Sequence, residues 1–522
     1  MLFNSHTFIF LFLPITVLVY FMLGRYNHRI SAVWLIAASL FFYGWWNPAY
    51  VGLLIGSILF NYSVGAALAQ ENARKILTLK KVILIFGVAL NLCLLGYFKY
   101  VNFFLSTINN LTDAGWSLGS VILPLGISFF TFTQIAYLVD AFRGEVKERD
   151  LVHYALFVTY FPHLIAGPIL HHKEIIPQFG RRSTYTFSYE NIAVGLTIFS
   201  LGLFKKVVLA DSIAPVAQTV FEAASKGQAL TLIEAWSGAI SYSLQLYFDF
   251  SAYSDMAVGL SKLFGVSIPL NFYSPYKAVN IIEFWKRWHI SLSRFLMDYL
   301  YIPLGGNRFG TVRRYLNIMI TMFLGGLWHG AGWTFIMWGS LHGLYLVINQ
   351  AWRSLRKYFG HDLHKPTLIG TLGARLITFI AVVIAWVLFR ADNLESAFAV
   401  YSGMLGLNGF VLPEVWLKYS GVLGNLLVNG GVVFGTLPAF TKALQAPILI
   451  ILLISIAWFM PNTQQFMQKF KPAINIYRGD VTTSNLWFKW GPSWQWATCF
   501  ALVMSISIIM IDKLSEFLYF QF

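Results

Sequence analysis

Charged residues are scarce in this chain. They make up 11% of its 522 residues, against about 25% in an average soluble protein, and no stretch is polar enough to form a water-soluble domain. Cysteine is scarcer. Cys93 and Cys499 are the only two, and both fall inside apolar runs. That excludes a disulfide framework and a thiolate metal site, and a thiol in apolar surroundings makes a poor nucleophile. Acidic residues number 22 against 37 Lys and Arg, a net charge of +15. The excess does not point to nucleic acid, because the basic residues lie mostly in short loops between apolar runs, the positive-inside pattern of membrane proteins. Also missing are a glycine-rich phosphate loop and a nucleophile elbow. There is no low-complexity linker, and none of the internal repetition common in secondary transporters.

What remains is apolar. Hydrophobic residues reach 57% and aromatics 17%, and runs of membrane-spanning length recur from one end to the other. The chain therefore reads as an all-α polytopic membrane protein. Its first run, 8–23, has no Lys or Arg before it and no small-residue cleavage pattern after it, so it reads as a retained span and not a signal peptide. Candidate spans are 8–24, 31–47, 49–69, 82–104, 118–139, 192–210, 233–264, 331–352, 371–391, 396–412, 445–460 and 494–514.

Basic loops near 25–31, 70–82 and 141–150 alternate with nearly uncharged ones near 45–50 and 106–120. On the Lys/Arg rule the basic loops are cytoplasmic and the N-terminus is outside. The basic stretches 171–182, 277–314 and 353–365 then also face the cytoplasm, and 213–234 is external. Three apolar stretches, 156–170, 301–306 and 321–332, contain proline or clustered glycine. Irregular backbone at membrane depth needs protein or a water-filled cavity around it, so these pieces are expected as broken or re-entrant helices inside the bundle. After about Asn393 the pattern loosens. We divide the chain into a transmembrane core, 1–393, and a C-terminal transmembrane extension, 394–522, whose Trp-rich piece 487–496 suits a membrane interface.

One histidine stands out. His329, in Gly326-Leu327-Trp328-His329-Gly330, is the only ionisable residue between Thr321 and Leu341. A full charge at membrane depth costs roughly 2.5–3.5 kcal/mol on insertion scales, and imidazole is the side chain best suited to moving protons near neutral pH. The densest polar cluster of the chain, 245–329, holds a second tryptophan-histidine pair, Trp288-His289. Two imidazoles can divide the labour of acyl transfer, one taking the proton of the attacking hydroxyl and the other orienting the donor or protonating the leaving group. Each also fits a hydrogen-bonded structural histidine, and His289 lies in a basic amphipathic stretch where an interfacial histidine is ordinary. Asp249 and Asp255 fit either as partners that fix histidine tautomers or as ion-pair partners at a helix junction. Lys286, Arg287, Arg294, Arg308, Arg313 and Arg314 suit the phosphates of a nucleotide-like donor, and equally the positive-inside pattern. His163 is a further intramembrane candidate. His171-His172-Lys173-Glu174 has metal-ligating residue types but no defined ligand geometry.

These segments together resemble the membrane-bound O-acyltransferase family, in particular its branch that O-acetylates bacterial polysaccharides such as alginate. The matching stretches are Leu123-Pro124-Leu125-Gly126-Ile127-Ser128-Phe129-Phe130, Phe161-Pro162-His163-Leu164-Ile165-Ala166-Gly167-Pro168, 247–255, 284–293, 299–307 and 325–330. The match runs from the N-terminus to about Asn393 and continues more loosely to 517–522. The resemblance implies a many-helix bundle around a central funnel or tunnel. It puts the family's two histidines at His329 and His289, with His329 at the key catalytic position. Lys286, Arg287, Arg308, Asp249, Asp255 and Trp328 are taken as donor-binding or supporting residues. No tightly bound cofactor and no metal are expected. The implied donor is acetyl-CoA from the cytoplasm. The acceptor is an extracytoplasmic polysaccharide, alginate first, with cellulose or peptidoglycan as alternatives. A periplasmic SGNH-type acetyltransferase is an implied partner, and the expected location is the bacterial inner membrane. Competing readings are a flippase for a lipid-linked saccharide, D-alanyl transfer to teichoic acid, and a non-catalytic scaffold of a secretion complex.

Overall fold

The computed structural model describes residues 1–69, 77–119, 121–146, 150–362, 367–440, 444–474, 490–511, 515, 517 and 518. Expectations for 70–76, 147–149, 363–365, 487–489 and 519–522 lie outside the described residues. Among the described residues helix dominates, and the strands are one short parallel pair, Val411–Pro413 with Val433–Gly435. The chain is an all-α polytopic membrane protein. Among the described residues, four helices are long and apolar enough to cross a bilayer: Ala49–Leu68, Leu77–Thr112, Tyr189–Ser225 and Leu368–Arg390. Phe8–Gly24, Ile127–Phe142, Gln445–Phe459 and Trp494–Ile509 are apolar but shorter. Phe10, Leu18, Ile85, Ile377 and Ile448 on their outer faces are each at least 60% exposed, a surface suited to lipid and not to water.

The centre is the 32-residue helix Leu232–Leu263. Thr231 and Glu234 start it as a capping box, each side chain holding a backbone N–H of the other's turn. It is buried along nearly all its length and packs against Tyr189–Phe204, Asp211–Ser225, Leu368–Arg390, Leu394–Met404 and Gln445–Phe459. Small residues allow the closest of these approaches. A Cβ on Gly259 would stand 2.7 Å from the Gly195 carbonyl oxygen, and one on Gly195 would stand 2.8 Å from that of Gly259, the small-residue packing expected where apolar burial alone cannot drive helices together.

The irregular stretch 156–170 is broken as its sequence implies. Leu151–Thr159 ends, Phe161–Leu164 makes one isolated turn, and non-helical backbone leads to His172–Phe179. Residues 160–166 are all buried, so protein covers this backbone. Residues 301–306 form a turn with Gly305 and Gly306 at φ 108° and 56°.

Three expectations are corrected. Segment 321–332 is broken only at its end: a regular helix, Gly310–His329, runs through most of it, and the non-helical part is confined to 330–332. Its glycines serve packing against the next helix, Trp333–Tyr358. A Cβ on Gly339 would stand 2.9 Å from Gly326 Cα. The expected span 118–139 becomes helical only at Ile127, because the chain reaches that point through a loop closed by Gly126 at φ 69°. The expected span 396–412 is the 11-residue helix Leu394–Met404, about 16 Å long at 1.5 Å per residue and too short for an apolar core of about 30 Å.

The two kinds of loop gather at separate places. Arg29 pairs with Asp150 at 3.5 Å and Lys173 with Glu145 at 3.2 Å, joining basic loops to one another. Tyr50 instead donates to the Ile122 carbonyl at 2.9 Å, joining the uncharged ones.

Candidate active site

His329 is the last residue of the Gly310–His329 helix, and its side chain is buried. A helix leaves its final carbonyls without intrahelical partners. Here two consecutive residues of another helix supply them. Tyr100 Oη donates to Leu327 O at 2.8 Å, and Lys99 Nζ donates to Trp328 O at 2.6 Å and His329 O at 3.0 Å. Both come from Gly96–Tyr100, a π-helical turn inside the long Leu77–Thr112 helix. Such turns recur at functional sites.

His289 reaches the same place from a different direction. It precedes the Ile290–Leu296 helix with φ 42°, a left-handed conformation uncommon for a residue with a side chain and one that costs on the order of 1–3 kcal/mol. Asn271 holds it there. Asn271 Oδ1 meets His289 Nδ1 at 3.2 Å, Ser291 N at 3.2 Å and Ser291 Oγ at 2.8 Å. The Ser291 backbone N–H can only donate, so the amide must present its oxygen. His289 Nδ1 therefore carries the proton, and the ring's lone pair lies on Nε2.

The two imidazole centroids are 6.4 Å apart. Trp328 lies against both, 4.9 Å from His329 and 6.2 Å from His289, and is itself stacked on Phe132 at 5.2 Å. Trp338 and Phe389 close the far side of His329 at 5.0 and 5.2 Å. On its open side His329 borders a cavity of about 530 Å³ whose lining includes Trp45, Trp46, Lys99, Ser128 and Trp328. Among the described residues no Asp or Glu lines this cavity, and His289 is not part of its lining. The arrangement is a buried imidazole lining a chamber, with a second imidazole of fixed tautomer beside it.

Other sequence candidates are placed elsewhere. Asp249 does not hold a histidine: Oδ1 pairs with Lys206 at 2.7 Å, and Oδ2 accepts the Leu518 backbone N–H at 3.0 Å. Asp255 likewise pairs with Lys205 at 2.7 Å and accepts from Thr463 at 2.5 Å. Both carboxylates are drawn to lysines of the Lys205–Ala210 segment because an ammonium meets a buried carboxylate better than a neutral imidazole does. Arg287 is held by Glu283 at 2.6 Å and donates to Tyr273 O at 3.3 Å. Lys286 and Arg308 are exposed and neither lines the cavity. Arg294 pairs with Glu174 at 2.6 Å. His163 Nε2 bonds the Phe157 carbonyl at 2.8 Å. His171 and His172 go to different partners, Tyr299 Oη at 3.3 Å and Asp140 at 3.2 Å, and no three metal-ligating side chains converge among the described residues.

Reading the sequence missed Lys99, Asn271, Asp140 and His342. Lys99 carried a usable signal, since it is the only charged residue between Lys81 and Asp113. His342 is fully buried, 4.9 Å from Trp338 and 5.2 Å from Trp285. Asn271 had no signal, because nothing in its neighbourhood announces a buried loop.

Residues 141–389, a stretch holding both tryptophan-histidine pairs, match the membrane-bound O-acyltransferase family. The chain is similar to a peptidoglycan O-acetyltransferase of Helicobacter pylori, with 42% identity covering 100% of this chain and 98% of that protein. It is 43% identical to a probable alginate O-acetylase of Pseudomonas aeruginosa, over 80% of this chain and 77% of that protein. A teichoic acid D-alanyltransferase of Streptococcus thermophilus is more distant, 28% identical over 52% of this chain and 69% of that protein.

Proposed function

The chain belongs to the membrane-bound O-acyltransferase family, and from that premise we propose that it moves an acetyl group from cytoplasmic acetyl-CoA across the bacterial inner membrane for O-acetylation of a polysaccharide outside it. As a family member it is an acyl-transferring enzyme. The relatives of similar identity are an O-acetyltransferase of peptidoglycan and probable O-acetylases of alginate, which supports acetyl as the acyl group and a cell-envelope polymer as its destination. Alginate-type exopolysaccharide is the first acceptor to test and peptidoglycan the second. A periplasmic SGNH-type acetyltransferase is the proposed partner for the last transfer to sugar.

The observation that carries the mechanism is His329 lining the cavity with its ring 6.4 Å from that of His289. With the basic loops cytoplasmic and the N-terminus outside, the part of the cavity lined by Trp45 and Trp46, from an uncharged loop, faces outward. The acceptor hydroxyl enters there, and the thioester arrives from the end that bears Lys286, Arg308 and Arg313. His329 takes the hydroxyl proton. The oxygen forms a C–O bond to the acetyl carbon, the C–S bond breaks, and the proton passes to the departing sulfur. His289, with its lone pair on Nε2, supports the donor side of the same transfer.

Inverted membrane vesicles from cells making the full chain test this. Given acetyl-CoA labelled in its acetyl group, they should release free CoA and carry label into polysaccharide as base-labile ester. Movement of saccharide without any donor would overturn the proposal in favour of transport.

A further inference from the structure

Lys99 is the one charged residue between Lys81 and Asp113, and its surroundings define what it does. An ammonium has three N–H donors, and three oxygens meet them: Trp328 O at 2.6 Å, His329 O at 3.0 Å and Ser128 Oγ at 3.4 Å. All three are neutral. The ammonium thus holds no donor in reserve for a bound anion, which argues against an anion-binding site. A buried charge on neutral partners costs more than a neutral donor would, so its charge calls for a reason beyond capping.

The electrostatics supplies one. The C-terminal end of a helix carries the equivalent of roughly half a negative charge, and here that end faces the cavity beside His329. Acyl transfer builds negative charge on the carbonyl oxygen in the transition state. An uncompensated helix end would oppose that charge. Lys99 sits on the two carbonyls that would do so and lines the same cavity.

We propose that Lys99 is a positioning residue for acyl transfer, fixing the helix end that carries His329 and cancelling that end's negative field where the transferred carbonyl reacts. The inference rests on the reading of His329 as the base.

The test uses the same inverted vesicles, with acetyl-CoA as the probe donor and rates expressed per mole of protein in the membrane. K99M keeps the length and loses the charge. Its kcat should fall by about 10- to 100-fold, while KM for acetyl-CoA stays within twofold, because the field matters only as charge develops. K99R should recover much of the rate. A K99M kcat within twofold of wild type overturns the proposal, as does a loss appearing in KM alone. Where K99M fails to accumulate, K99Q, which still donates to carbonyls, substitutes for it, and full activity in K99Q has the same overturning force. H329A in parallel separates the two ideas. An inactive H329A with an unaltered K99M removes only the role of Lys99, whereas an active H329A removes the reading beneath it.

Discussion

A buried imidazole works as a base only when its lone pair points at the proton to be moved. At His289 that direction is set by Asn271, whose oxygen accepts hydrogen bonds from Nδ1–H and from the Ser291 N–H and Oγ–H. N271L should remove the tautomer lock and leave the Ser291 donors unsatisfied, at about 1–3 kcal/mol of stability. Acetylation per mole of protein should fall by at least about tenfold, and a thermal-shift assay beside the rate measurement reads both effects. The residue scale is also where the sequence was most uneven. His329 was legible because an ionisable side chain in an apolar run is costly. The identical reasoning applied to Lys99 would have found it. Asn271 and the αL backbone at His289 were not legible, because both depend on a loop brought against Ile290–Leu296 by tertiary packing.

Elements fix these residues to within fractions of an ångström. The helices on either side of His329 meet through Gly326 and Gly339, where a side chain on Gly339 would fall 2.9 Å from Gly326 Cα. Reading Gly326 as a helix breaker was an error of sign, while Gly330 and Gly332 do lie at the interruption: in a membrane bundle a glycine often marks contact. G339V should separate the pair, cost about 1–3 kcal/mol by overpacking and lower acetylation even in protein that remains folded. Size-exclusion profiles and activity per folded mole distinguish the two losses. The carboxylates at 249 and 255 are likewise element-scale features. The sequence left open whether they served histidines or lysines, because helix-to-helix neighbours cannot be read from one strand of text. Lys206 binds Asp249 at 2.7 Å and Asp211 at 2.9 Å, Ser515 donates to Asp211 at 2.6 Å, and Leu518 donates to Asp249. K206M should leave buried carboxylates uncompensated, a cost of about 3–5 kcal/mol, and loosen the chain end. Faster carboxypeptidase release of C-terminal residues, with the bundle still intact by circular dichroism, would be the sign.

For the whole molecule, the fold class and its membrane setting were written in composition, and the alternation of basic and uncharged loops was written in charge. Loop contacts follow that alternation, with Arg29 to Asp150 in one set and Tyr50 to Ile122 in the other. The path of the irregular segment 156–170 was legible too, since two prolines and a glycine at apolar depth require protein around them. The cavity was not, because it is assembled from residues as distant as Met1, Trp46, Lys99, Ser128 and His329. Sidedness gives a direct check. In a protein lacking Cys93 and Cys499, S117C should react with an impermeant maleimide added outside intact cells, and R313C only after the inner face is exposed. The reverse labelling would contradict a cavity that opens outward.

The proposed chemistry rests on one side chain that lines that cavity, His329. The most direct measurement is the rate of labelled acetyl transfer from acetyl-CoA to polysaccharide by H329A in inverted vesicles, normalised to the amount of inserted protein. A loss of about 100-fold or more, with H289A less severely impaired, is the expected result. A rate equal to that of the unaltered protein would contradict the role of His329 outright.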